Sequence, residues 1–163
     1  DYDYTTQARI SVANETTKDV FGVVNWELRS KDGSVLQSGK ENLTVPALSS
    51  VWLDHMDFNK TDVENNYLSF SFVVEGVVVS EGTALFTVPK HFNFVDPELK
   101  YEIAGDTITV YAKSFAKYVE IDSPDSDFIL SDNYFDMNAD TKTVKILKGT
   151  PKTIKLRSVY DVQ

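Results

Sequence analysis

The chain has 163 residues, no cysteine and a formal net charge of −9 at pH 7, with hydrophobic residues at 42% and charged residues at 25%. That is a globular composition, long enough for one large sandwich or two small ones. The acidity works against binding a nucleic-acid backbone or an anionic membrane, and the missing thiols exclude disulfides, thiolate metal sites and cysteine nucleophiles.

No apolar run is long enough for a membrane-spanning helix, so neither nucleic acid nor membrane is expected as a partner. A chain without cysteine suits the cytoplasm, although periplasmic proteins often lack it too. The start, DYDYTT, has no basic or apolar segment of a signal peptide and no Met, as expected of a mature chain or an excised fragment.

In chain order, residues 7–14 alternate apolar and polar and predict a strand, followed by the loop NETTKD. Residues 20–29 predict a second strand, with Val20, Val24, Trp26 and Leu28 on one face. Asp32-Gly33 then signals a hairpin, and 35–45 is the return strand. A strand at 50–56 follows, with Val51 and Leu53 inward and Trp52 and Asp54 outward; DFNKTDVENN reads as a loop. Residues 67–75 place Leu68, Phe70, Phe72 and Val74 inward and Ser69 and Ser71 outward. Glu75-Gly76 and Glu81-Gly82 predict turns on either side of 77–79, and 83–88 ends this half.

Residues 89–99, PKHFNFVDPEL, carry two prolines and no sheet periodicity and predict a short, stiff linker, with Phe92 and Phe94 packing where two domains meet. Beyond it, strands are expected at 101–104, 107–113, 118–122, 128–130, 143–147 and 154–159, with turns at Gly105-Asp106 and 148–151 and an acidic loop DSPDSD. No segment has the apolar stripe of a useful helix. The pattern predicts an all-β fold of two consecutive immunoglobulin-like β-sandwich domains, 1–88 and 89–163.

Chemistry is hard to place on this chain. His55 and His91 have no second histidine near them in sequence and read as ordinary polar positions. Asp122, Asp125, Asp127, Asp132 and Asp136 raise a calcium reading, but their spacing is irregular and no glycine provides the bend, so they read as turn formers. No Gly-x-Ser-x-Gly elbow exists. Asn-x-Thr sequons occur at Asn14, Asn42 and Asn59, as short polar turns produce by chance. No catalytic, cofactor-binding or metal-binding residue is therefore assigned. Trp26 belongs to the core. The outward Trp52 is either an anchor on a neighbouring domain or a ring for sugar stacking, and the anchor is the preferred reading. In Ser131–Leu147 the two adjacent aromatics send rings to opposite sides: one fills the core, and the Tyr134 hydroxyl is expected to tie a loop to the backbone.

SDNYFDMNADTKTVKIL at 131–147 and IKLRSVYDV at 154–162 resemble the C-terminal immunoglobulin-like domain of glycoside hydrolase family 2 β-mannosidases. There a similar S-D-N-[FY]-F-D run precedes a T-V strand, and the chain ends near a similar L-R-S-[VL]-[WY]-D. VNWELRSKDGSVL at 24–36 looks like the preceding sandwich of that family, and VPKHFNFVDPEL at 88–99 like its junction. The resemblance implies a parent that hydrolyses terminal β-D-mannosides by a retaining mechanism, or a related exo-β-glucosaminidase. It also implies that the catalytic glutamates lie in an upstream TIM barrel of about 250 residues, more than this chain holds. The chain itself would then be a non-catalytic accessory region. Its partner would be that barrel, with an oligosaccharide as the ligand of a rival reading in which exposed aromatics make a binding or adhesion module.

Overall fold

The computed structural model describes residues 5–162; Asp1–Tyr4, on which the reading of the chain start rests, and Gln163 lie outside them. The chain forms two compact units. One takes in residues up to Ser30 together with Val35–Phe92, the other Lys31–Ser34 together with Asn93 onward. Both are all-β, as the alternation and turn signals require.

In the first unit the strands are Gln7–Ala8 (β1), Ser11–Asn14 (β2), Val20–Ser30 (β3), Val35–Val45 (β4), Ser49–Trp52 (β5), Met56–Asp57 (β6), Asn66–Val74 (β7) and Val77–Leu85 (β8). An antiparallel sheet of order β4-β3-β7-β8 faces the small pairs β2-β5 and β1-β6. Val24, Leu28, Leu68 and Phe72 from the large sheet meet Ile10, Val12 and Leu53 in the core. The register explains four glycine and aromatic positions together. Trp26 lies opposite Gly39 on one side and Phe70 on the other, and Phe70 lies opposite Gly82. A Cβ at Gly39 would come within 2.4 Å of Trp26 Cζ2, and one at Gly82 within 3.0 Å of Phe70 Cζ. Glycine at both edges of this row is what lets two large rings lie down on the inner face.

Four sequence expectations change here. The strand expected over 7–14 is two strands with different partners: Ala8 pairs with Met56 and Ser11 with Trp52. The strand expected at 50–56 breaks at the same level, into β5 and β6, so both chains bend together. Glu81-Gly82 is not a turn but the middle of β8, because Gly82 serves the Phe70 ring rather than a chain reversal. Ser69 does alternate away from the core, yet it is buried. Its hydroxyl accepts a hydrogen bond from Arg29 Nε at 3.1 Å, and the neighbouring Tyr67 is covered edge-on by Phe92 at 6.4 Å.

In the second unit the strands are Lys100–Ala104 (β9), Thr107–Tyr111 (β10), Ala116–Asp122 (β11), Ile129–Leu130 (β12), Phe135–Met137 (β13), Thr141–Lys148 (β14) and Lys155–Arg157 (β15). A sheet of order β12-β14-β10-β9 packs on one of order β13-β11-β15, a sandwich with one core between. Ile108, Val110 and Val144 from one sheet meet Val119, Ile121 and Met137 from the other, all essentially fully buried. Phe94 stacks on Phe115 at 5.8 Å within this unit. Strand β11 carries a bulge between Ala116 and Val119, where Lys117 and Tyr118 together oppose Asp136.

Candidate functional surface

The 131–136 stretch shows how each of its residues earns a structural place. Ser131 continues the ladder of β14: its N–H donates to the Lys145 carbonyl and its Oγ accepts from the Lys145 N–H, both at 2.8 Å. Asn133 does the work of a missing strand residue. Its Oδ1 accepts the Ile121 N–H at 2.8 Å and its Nδ2 donates to the Ile121 carbonyl at 2.9 Å. Asp136 holds the bulge, accepting the Tyr118 N–H at 3.0 Å and pairing with Lys117 Nζ at 3.0 Å. Phe135 enters the core as its position suggests. Tyr134 does not tie a loop down; it takes φ +57° and presents its ring to solvent, 63% exposed.

Asp125, Asp132 and Asp136, three of the five acidic residues that raise a calcium reading, are held by protein donors. Asp125 accepts from Ser123 Oγ at 3.1 Å and from Thr153 Oγ1 at 2.9 Å, and these hydrogen bonds, Thr153 foremost, hold its carboxyl below the usual carboxylate range. Asp132 pairs with Lys142 Nζ at 3.1 Å. Among the described residues no three His, Asp or Glu side chains gather where they could hold a metal ion. His55 is exposed and His91 half-buried, in different segments.

Two crevices in the second unit are lined by carboxylates. One of about 330 Å³, between the Gly105-Asp106 turn and the Lys148–Pro151 segment, has Asp106 as its only lining carboxylate. The other, of about 220 Å³, is lined by Asp96, Glu98 and Asp161. Each of these is already engaged: Asp96 by the Glu98 N–H, Glu98 by Lys113, and Asp161 by the Ser158 N–H. Neither offers the two free carboxylates across a cleft that glycoside hydrolysis uses.

Trp52 lies in β5 opposite Ser11, with Val51 packed on the core and Leu53 buried on either side. Its ring is 56% exposed. The Arg9 guanidinium sits over it, 5.0 Å from the ring centroid, while Arg9 Nε donates to the Leu53 carbonyl at 3.1 Å. Arg9 comes from the bend that divides β1 from β2. That bend could not be read from alternation alone, which is why sequence reasoning missed this partner. Lys117 was missed for a similar reason: a lysine amid the apolar residues of β11 is explained only by the bulge that delivers it to Asp136.

Residues 6–91 match the mannosidase Ig/CBM-like domain family. The chain belongs to that family. In the mannosidase Ig/CBM-like chain the remaining residues, 94–162, match an Ig-fold domain of mannosidases. No curated protein matches it significantly. Among solved structures it is similar to a β-D-mannosidase from Dictyoglomus thermophilum, with 15% identity and a TM-score of 0.76 over 94% of this chain and 20% of that one. It is also similar to an Amycolatopsis orientalis exo-chitosanase, with 14% identity and a TM-score of 0.58 over 93% of this chain and 24% of that one. At these identities the likeness is one of fold. The mannosidase Ig/CBM-like chain thus spans about a fifth to a quarter of the length of these structures.

Proposed function

We propose that the chain is the non-catalytic C-terminal accessory region of a β-mannosidase-like glycoside hydrolase, with residues 1–88 and 89–163 as its two domains. The observation that carries this reading is the continuous likeness of both units, in order, to one part of a β-D-mannosidase four to five times as long. The parent hydrolyses terminal β-D-mannosides by a retaining mechanism in a TIM barrel upstream. The present chain packs against that barrel. Trp52 with Arg9 is the anchor: arginine and tryptophan are the residue types that carry interface energy, and here the guanidinium lies over the indole.

The test uses two polypeptides and two chromogenic substrates. The chain alone is expected to hydrolyse neither p-nitrophenyl β-D-mannoside nor p-nitrophenyl β-D-glucosaminide, while the full polypeptide encoded with its upstream sequence turns over the mannoside. Preference for the glucosaminide would make the parent an exo-β-glucosaminidase. Turnover by the chain alone, or an upstream sequence with no βα-repeat of barrel length, would overturn the reading.

A further inference from the structure

The outward face of the β13-β11-β15 sheet has an unusual composition. Strand alternation turns Phe135, Met137, Val119 and Ile121 into the core. What faces out is Asp136, Glu120, Asp122, Lys155 and Arg157, all charged, and two tyrosines. Tyr118 is 53% exposed and Tyr134 63% exposed. In antiparallel register Val119 lies opposite Phe135, which places Tyr118 and Tyr134 on diagonal positions of neighbouring strands.

Both tyrosines hold a left-handed backbone, φ +53° at Tyr118 and +57° at Tyr134. Glycine takes this conformation freely, whereas a side chain is strained in it. Tyr134 recovers little of that strain by burial, since most of its ring is in solvent. Tyr118 is fixed from one side only: Lys117 Nζ lies over its ring, 4.6 Å from the centroid, and Asp136 accepts its N–H. The fold therefore carries two open aromatic rings where a stable fold alone would favour glycine.

The neighbours say what such rings would meet. The Glu120–Arg157 pair at 3.0 Å offers acceptors and donors beside them. A pyranose wants an aromatic plane for its C–H face and charged hydrogen-bonding groups for its hydroxyls. We propose that Tyr118 and Tyr134, with Glu120 and Arg157, form a surface site for a neutral oligosaccharide, separate from Trp52 and independent of the accessory role above.

The test is a titration of the chain with β-1,4-mannotetraose, followed by the ring proton signals of the tyrosines in NMR spectra. Saturable shifts at Tyr118 and Tyr134 are expected at millimolar ligand. Because both backbones already suit glycine, Tyr118→Gly and Tyr134→Gly keep the fold, which an unchanged or raised Tm checks. Each should weaken binding about tenfold, the scale of one lost ring contact, while Trp52→Ala leaves it unchanged. Absence of saturable binding overturns the proposal, as does binding that survives both glycine variants or is lost with Trp52.

Discussion

The indole of Trp26 occupies the space a side chain at position 39 would need: a Cβ there would come within 2.4 Å of Cζ2 and 2.8 Å of Nε1. The two residues face each other across β3 and β4. Trp26 in turn meets Phe58 edge-on at 5.6 Å, which blocks its movement on that side. Gly39→Ala should therefore destabilise the first unit by about 1–3 kcal/mol, the usual range for overpacking. Urea unfolding measures it. In the Trp26→Leu background the same change should cost much less, and a double-mutant cycle showing no coupling would disprove the steric account.

Lys117 and Asp136 are a nearly buried pair, with side chains 9% and 14% exposed. Asp136→Ala removes the carboxylate partner of Lys117 and the acceptor of the Tyr118 N–H, and should cost about 3–5 kcal/mol. Lys117→Met leaves Asp136 accepting the Tyr118 N–H, so one of these two interactions survives and the loss should be milder. Thermal unfolding of the two variants gives the comparison; equal losses would mean that the surviving interaction contributes nothing.

Asn133 replaces a strand residue for Ile121 through two hydrogen bonds. Asn133→Ala should cost about 1–3 kcal/mol, because the Ile121 N–H and carbonyl are left without their partner. The local readout is sharper than the global one. The Ile121 amide should exchange its hydrogen markedly faster, while the Val144 amide on the other sheet does not.

Asp125 has a folded-state pKa below its ordinary value, caused first by the Thr153 hydroxyl. A depressed carboxyl stabilises the fold above its unfolded pKa of about 3.9 and loses that contribution as pH falls through the folded value. Carboxyl NMR titration should place the Asp125 midpoint below the usual range, and Thr153→Val should move it up. An unmoved midpoint in the variant would mean that the hydroxyl does not set it.

The strand grammar of this protein was legible because apolar alternation and turn residues are local signals. The β3-β4 hairpin closes as Asp32-Gly33 indicates, with Gly33 at φ +89° and Asp32 capping the Ser34 N–H at 2.8 Å. Glu75-Gly76 turns the chain as well. What could not be read was set by distant partners. Glu81-Gly82 has the same turn composition, but the nearby Phe70 ring decides its role. Ser69 alternates outward, but a segment later in the chain covers that end of the sheet. Trp52 was visible as an outward ring, since Val51 and Leu53 fix the inward face; Arg9 above it was not. Tyr118 gives no sequence sign of its left-handed backbone, which arises from a bulge that only the pairing of β11 with β13 defines.

The first sequon has a consequence for how this protein is made. Asn14 is buried, and its Nδ2 donates to the Lys18 carbonyl at 2.8 Å and the Val45 carbonyl at 3.0 Å, tying the loop after β2 to the end of β4. An oligosaccharide cannot be attached to that nitrogen without opening the loop. Asn42 and Asn59 are exposed. Material secreted from a yeast or insect cell would therefore show, in an intact mass spectrum, additions at those positions only. Any molecule modified at Asn14 would have received its sugar before this corner of the sandwich closed.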